Sequence, residues 1–596
     1  MDISLNLSKD NIQTDWRATM QPLMPAKAKT GSPDGYDIYP YHAVGKGKIN
    51  NGYASLARWI AGRQFAALDG YVGVFWNDVR QCLEEQFDEQ GVSVRWVNTA
   101  DYLKSPAEVQ KMVYPYLGTP NSVWGTKADL TLAHFFNFNK IITHESGNNL
   151  TIVYGVGAGI LAPDAGLIYF DLPKNELQLR MRAGYITNLG NNKAETPAEM
   201  YKRFYFVDWP VLNEYKQQAL SKIAIVADSQ WKNDVNWMLA MDFQNALKEL
   251  STTAFRVRPW FEPGTWGGQW MKDRFEGLNK NEVNYAWSFE LIVPENGIVF
   301  ESGGNLLEVS FDFLMFSSNE AVLGKHTHKF KYEFPIRFDF LDTWEGGNLS
   351  IQCHPSLPYI QKNFGENITQ DETYYILDCE KDATVYLGFQ EDIDPEVFRE
   401  KLEDSRDNGV ELEITKYVQS HQAKKHDLFL IPNGTVHSAG AGNVVLEISA
   451  TPYIFTFKMY DWLRLDLNGE PRAINIDHAF NNLKFDLKGQ KVIDELISKQ
   501  TVIDRGGDWQ QVHLPTHAEH FYDVHRFEFD SSITIKTNGE CHVLMLVEGT
   551  TVSVAVNGVK TTYHYAETFV IPAAAEMYTL YNNGLRRAKV IKAFLK

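Results

Sequence analysis

Near residue 255 the texture of the chain changes, and that change limits what it can fold into. Before it, strand-like and helix-like segments alternate. Residues 65–75 (FAALDGYVGVF) read as a buried strand and turn, 77–90 as a helix ended by Gly91, 92–97 as a strand and 106–117 as a helix. Residues 150–172 predict two buried strands around a Gly/Pro turn, 223–227 a further strand, and 175–182 and 235–250 helices. Such alternation builds βαβ units around a mostly parallel sheet. After residue 255, short β-branched and aromatic runs are separated by tight turns. Val552, Val554 and Val556 alternate with Ser553 and Ala555, and Asn557-Gly558 supplies a hairpin turn. This half reads as an all-β sandwich or barrel with small helical insertions, residues 394–404 being one of them.

Single domains run to roughly 100–200 residues, so 596 residues imply a multidomain chain. The expected division is an α/β domain over 1–250 and two β modules over 251–500 and 501–596. A short repeat supports the two modules: DLFLIPNGTVH (427–437) aligns without a gap on ETFVIPAAAEM (567–577), with Met577 where the first copy has His437. Lys and Arg number 57 against 75 Asp and Glu, a net charge of −18, which speaks against nucleic-acid or membrane-surface partners. Four scattered cysteines form neither a disulfide framework nor a CxxC metal motif. Residues 1–24 lack a basic start followed by an apolar core, and no run approaches the roughly 20 apolar residues of a membrane span. The expectation is a cytoplasmic protein.

The residues that carry chemistry start at SIQCHP, 350–355. In a strand, residues two apart share a face, so Gln352 and His354 converge while Cys353 points away. Glu372, at the start of another strand, can add a carboxylate, and His437, in the turn PNGTVH, a second imidazole. One amide oxygen, one carboxylate and two imidazoles suit Zn²⁺, with other divalent ions possible.

The surroundings of these four residues resemble the type I mannose-6-phosphate isomerase family over about 255–596. The motifs are EPGTWGG (262–268), AWSFE (286–290), FPIRFDFLD (334–342), SIQCHP, DETYYILDCE, LIPNGTVHSAGAGNVVLEIS and MYDWLRLD. The resemblance implies a double-cupin jelly-roll fold with zinc held by Gln352, His354, Glu372 and His437. It also implies a metal-free second cupin, in keeping with Met577. The implied reaction interconverts mannose 6-phosphate and fructose 6-phosphate by proton transfer between C1 and C2. Glu447 in VVLEIS is then a candidate acid/base, and Lys458 and Arg464, flanking YDWL, are candidates for holding the sugar or its phosphate. This chain departs from the family at Gln370 and Asp339, where a Lys is usual, and at Lys458, where an Arg is common. Those departures leave two alternatives: an isomerase of an unphosphorylated sugar, or a non-catalytic sugar-binding or regulatory protein. The partner is a small sugar or sugar phosphate in each case, and the oligomeric state is not legible.

Two further signals are set aside. Residues 70–77 follow a strand and open a helix as a phosphate-binding loop does, but Phe75, Trp76 and Asn77 stand where Gly-Lys-Ser/Thr is needed. The N-terminal half is thus similar to a P-loop nucleoside-kinase domain that lacks its loop. His513, His517, His520, His525 and His542 crowd one short stretch and read mainly as hydrogen-bonded residues, with a vestigial pocket as the alternative.

Overall fold

The computed structural model describes residues 15–29, 34–119, 122–137, 141–144, 150–293, 295–450, 452 and 454–596. Of the stretch 1–24 read above, residues 1–14 lie outside the described residues. The first half holds a seven-stranded sheet in the order Ile49–Asn51, Asn236–Leu239, Ile223–Asp228, Gly166–Asp171, Phe65–Gly70, Leu150–Tyr154, Val94–Asn98. From Ile223–Asp228 onward all neighbours run parallel, and the two strands at the other edge are antiparallel. Apolar faces of Tyr53–Ala61 (Leu56, Ala57, Ile60) and Trp76–Glu89 (Val79, Leu83, Phe87) cover one side of this sheet.

Two local expectations are corrected. The strands within 150–172 are not neighbours: each pairs in parallel with Phe65–Gly70, one on either side, and the helix Ala158–Leu161 lies between them in sequence. The backbone amides of Gly157 and Gly159 do not simply turn the chain; both donate to the buried Asp69 carboxylate at 2.8 Å. Within 235–250, Asn236–Leu239 is a strand antiparallel to Ile223–Asp228, and the helix begins only at Ala240. A short apolar run buried on both faces carries no period that separates strand from helix.

The second half contains two sandwiches. In the first, a six-stranded antiparallel sheet (Leu428–Ile431, Glu372–Cys379, Asn443–Ala450, Ile336–Asp342, Trp287–Leu291, Trp260–Glu262) packs on a five-stranded one (Val418–Gln422, Thr384–Phe389, His437–Ala439, Ile351–Cys353, Phe457–Tyr460). Leu341, Tyr374, Ile376, Val385, Leu387, Ile431 and Ala439 interdigitate between them. In the second, Thr501–Arg505, Trp509–Leu514, Tyr522–Phe529, Ala588–Leu595, His542–Glu548 and Thr568–Ile571 face a four-stranded sheet. Asn557 and Gly558 both have positive φ (49° and 80°) and close the hairpin of Thr551–Val556 with Val559–His564, as the sequence predicts. The helix expected over 394–404 is Pro395–Asn408, capped by the Asp394 carboxylate.

The halves are interlocked. The hairpin Gly297–Ser302/Asn305–Ser310, inserted between two strands of the first sandwich, takes His42–Ala43 from the N-terminal half as a third, parallel strand. Buried ions follow the same seam: Lys216 Nζ lies 2.8 Å from Asp171 and 3.0 Å from Asp312, and Lys174 Nζ 2.9 Å from Asp312. No helix among the described residues is long and apolar enough to cross a membrane, and all four cysteines are free.

Candidate metal centre

Four side chains meet at one end of the first sandwich, between its two sheets. Gln352 and His437 are directly opposed on adjacent strands of the five-stranded sheet. Glu372 opens the strand Glu372–Cys379 of the facing sheet, and His354 follows Ile351–Cys353. His354 and His437 have no exposed surface, and Glu372 and Gln352 expose 1% and 7%. The turn that delivers His437 needs a glycine: Gly434 has φ +79°, its N–H donates to the His354 carbonyl, and a Cβ there would fall 2.4 Å from the Asn482 carbonyl oxygen. Cys353 faces the other way, toward the Ala479 carbonyl, and burial pushes its thiol up.

The hydrogen bonds fix which nitrogen of each imidazole faces the centre. His354 Nδ1 lies 3.0 Å from the Phe455 carbonyl and His437 Nδ1 2.9 Å from the Thr435 carbonyl. A carbonyl only accepts, so both Nδ1 atoms carry a proton, and in the neutral form of each ring the Nε2 lone pair is the one turned toward the centre. Those lone pairs point at a carboxylate: His354 Nε2 is 2.9 Å from Glu372 Oε1, and His437 Nε2 is 3.3 Å from Glu372 Oε2. His354 Nε2 and Glu372 Oε2 make no hydrogen bond, although both are buried. Lone pairs facing one another across such distances repel unless a cation lies between them, so the donor set fits a divalent metal. Burial lowers the His437 pKa below the ordinary imidazole value, which keeps the ring neutral and able to ligate. Backbone carbonyls orienting both imidazoles are the outer support that metal-bound histidines require.

A cavity opens onto Gln352 and Glu372 of this set. Glu447 and Lys458, the candidate acid/base and the candidate sugar contact, line it. Glu447 sits one strand from Glu372, and its neighbour across the next strand pair is Asp339. Burial, then the carboxylates Asp339 and Glu372, push its pKa well above the usual range against the pull of Arg337. Arg464 does not join them. Trp462 and Leu463 take positive φ (57° and 53°), which turns the chain out of the strand Phe457–Tyr460. Arg464 then pairs with Asp461 at 2.5 Å and lines a separate cleft with Leu465 and Pro471.

Among the cavity residues outside the set read from the sequence are Arg337, Arg472 and Trp124. Arg337 reaches 2.9 Å from Asp339 and 3.2 Å from Glu447, placing a guanidinium beside both carboxylates. Its alternation with Asp339 in FPIRFDFLD is a signal that two-residue spacing already contained. Arg472 lines the cavity and is tied to Asp461. Trp124 comes from the N-terminal half, donates its indole N–H to the Ile454 carbonyl at 3.1 Å and packs edge-on against Phe457.

Known proteins resemble the two halves separately. A domain of unknown function (DUF8485) matches residues 52–252. The probable mannose-6-phosphate isomerase GmuF of Bacillus subtilis (strain 168) is 26% identical over 224 residues, which is 37% of this chain and 66% of that protein. Mannose-6-phosphate isomerase ManA of the same organism is 26% identical over 231 residues, 38% of this chain and 67% of that protein. The chain therefore spans about two thirds of the length of these curated relatives. The crystal structure of the Bacillus subtilis mannose 6-phosphate isomerase aligns with a TM-score of 0.47 at 19% identity, over 57% of this chain and 99% of that one. Part of this chain is thus homologous to mannose-6-phosphate isomerases.

Proposed function

We propose, from that homology and the geometry above, that the chain interconverts mannose 6-phosphate and fructose 6-phosphate at a zinc site in the first of two cupin-type sandwiches. The observation that carries the reading is the pair of imidazole Nε2 atoms aimed at the buried Glu372 carboxylate, which with Gln352 also lines the adjoining cavity. Gln352, His354, Glu372 and His437 would hold the ion. When bound, it supplies Lewis acidity toward the sugar's C1/C2 oxygens.

The chain's own groups account for the rest. Aldose–ketose interconversion moves one proton between C1 and C2 and another between the two oxygens, so it needs a group that both accepts and donates near neutral pH. Glu447 suits that role: its raised pKa brings the carboxyl toward neutrality, and Ser449 Oγ holds one oxygen at 2.8 Å. Arg337 keeps the Asp339/Glu447 pair from carrying two uncompensated charges. Lys458 and Arg472 line the same cavity and supply cationic contacts for a sugar phosphate. Trp266, Trp287 and Phe289 form an aromatic wall on which a pyranose or open-chain sugar can lie, and they exclude water from the reacting carbons.

The test is turnover of mannose 6-phosphate by metal-loaded protein, with a chelated control and free mannose alongside. Turnover lost with chelator and with His437→Ala, and strongly favouring the phosphorylated sugar, is the expected outcome. Undiminished turnover in His437→Ala would sink the reading. Binding of sugar without turnover would favour the regulatory alternative instead.

A further inference from the structure

The second sandwich carries its own set of metal-ligating side chains, and the strand registers show where that set stands. Ile431 and Ile571 correspond in the repeated segments 427–437 and 567–577. Ile431 pairs with Glu372, and Ile571 pairs with His542. From that anchor, hydrogen-bonded neighbours can be followed across both sheets. Tyr374 pairs with Glu447 and Glu447 with Asp339, while Leu544 pairs with Lys592 and Lys592 with His525. Asp339 pairs with Phe289, and His525 with His513. His525, Asp523 and His513 thus occupy the positions of Asp339, Arg337 and Phe289. They lie on the inner face of the second sandwich, at the end equivalent to the metal centre of the first. Further along the same strand face, Phe527 and Phe529 enter the core between the sheets.

The three side chains form a compact donor set. His513 and His525 are directly opposed, with ring centroids 5.2 Å apart. Asp523 shares their face, and its Oδ2 is 2.9 Å from His513 Nε2. One ligand atom from each of the three lies within 4.8 Å of the others. The His513 and Asp523 side chains are 29% and 19% exposed, so an ion can enter without the fold opening. Gln511, on the same face, places its amide 2.7 Å from His525 Nδ1 and offers an oxygen on a flip of that group. Two imidazoles and a carboxylate are donors for zinc and its first-row neighbours, whereas Ca²⁺ and Mg²⁺ take oxygen ligands.

We propose that His513, Asp523 and His525 bind a divalent first-row transition ion, Zn²⁺ foremost, at a solvent-accessible site separate from the buried centre. The site clamps the strand Trp509–Leu514 to Tyr522–Phe529 near the edge of the second sandwich. Lys592 opposes the ion: it is the cross-strand neighbour of His525, and its ammonium rests over the rings of Phe594 and Phe527 at 4.0 and 5.6 Å. That charge gives the site a direction for test.

Full-length protein, stripped with chelator and titrated with Zn²⁺ alone, should take two equivalents by calorimetry and by elemental analysis after gel filtration. His525→Gln and His513→Asn should each remove one equivalent and leave the unfolding temperature of the zinc-free protein unchanged. His437→Ala should remove the other, so that failure of the buried centre is scored separately. Lys592→Met should tighten the second equivalent by about threefold or more. A wild-type stoichiometry of one, lost with His437→Ala, would show His513–Asp523 to be an ion pair only and overturn the proposal. So would a second equivalent that survives both histidine variants. Should His525→Gln fail to fold, His513→Asn, at the more exposed position, decides.

Discussion

Lys458 and Arg464 are close in sequence but belong to different surroundings. Lys458 shares its strand pairing with Gln352 and lines the cavity, whereas Arg464 is held by Asp461 outside it. Lys458→Met is therefore expected to lower kcat/KM for the sugar phosphate by roughly 10-fold or more, the scale of one hydrogen bond to a charged group. Arg464→Met should stay within about twofold, since its guanidinium is held by Asp461 away from the cavity. Steady-state kinetics of the two variants side by side checks both. At this scale the convergence of Gln352 and His354 on one face was legible, because two-residue spacing on a strand fixes the face each side chain shares. Arg464 was misplaced because nothing in YDWLR announces that Trp462 and Leu463 adopt left-handed backbone. Arg337 was overlooked although its alternation with Asp339 was visible. What the sequence did not show is that Asp339 stands 2.9 Å from the Arg337 guanidinium.

At the scale of elements, the segment around Trp124 does work that no local pattern reveals. Trp124 is 4% exposed and packs against Phe364, Phe457 and His478, all from the second half. Its neighbour Lys127 donates its backbone N–H to the Phe364 carbonyl at 3.0 Å. One wall of the proposed isomerase cavity is therefore supplied by the N-terminal half. Trp124→Ala should raise KM for the sugar more than it lowers kcat, and should cost about 3–5 kcal/mol of stability as a large core truncation. Substrate kinetics and urea unfolding would read the two effects. The regular elements themselves were mostly legible: the capped helix Pro395–Asn408 and the Asn557-Gly558 hairpin follow from local chemistry. The strand Asn236–Leu239 did not, since its assignment depends on pairing with Ile223–Asp228 rather than on its own residues.

Across the whole molecule, the ion network at the seam binds the halves into one unit. Lys216 is wholly buried and answers to Asp171 from its own half and Asp312 from the other. Arg258 bridges similarly, 2.8 Å from Glu308 and 3.8 Å from Glu176. Removing one member strands buried charge, so Lys216→Met is expected to cost about 3–5 kcal/mol, seen as a lower urea midpoint for both halves together. If only the N-terminal transition moved, the seam would not couple them. The change of texture near residue 255 showed that there are two halves, but sequence patterns along each half say nothing of charges paired across the seam. The inserted hairpin that completes a sheet with His42–Ala43 also sets a timetable for synthesis. At translation rates of about 5–20 residues per second, the chain from Lys216 to Asp312 takes roughly 5–20 s to emerge. Throughout that interval the nascent N-terminal half holds Lys216 without Asp312 and an edge at residues 42–43 without its partner, so its completion waits on the ribosome rather than on its own folding rate.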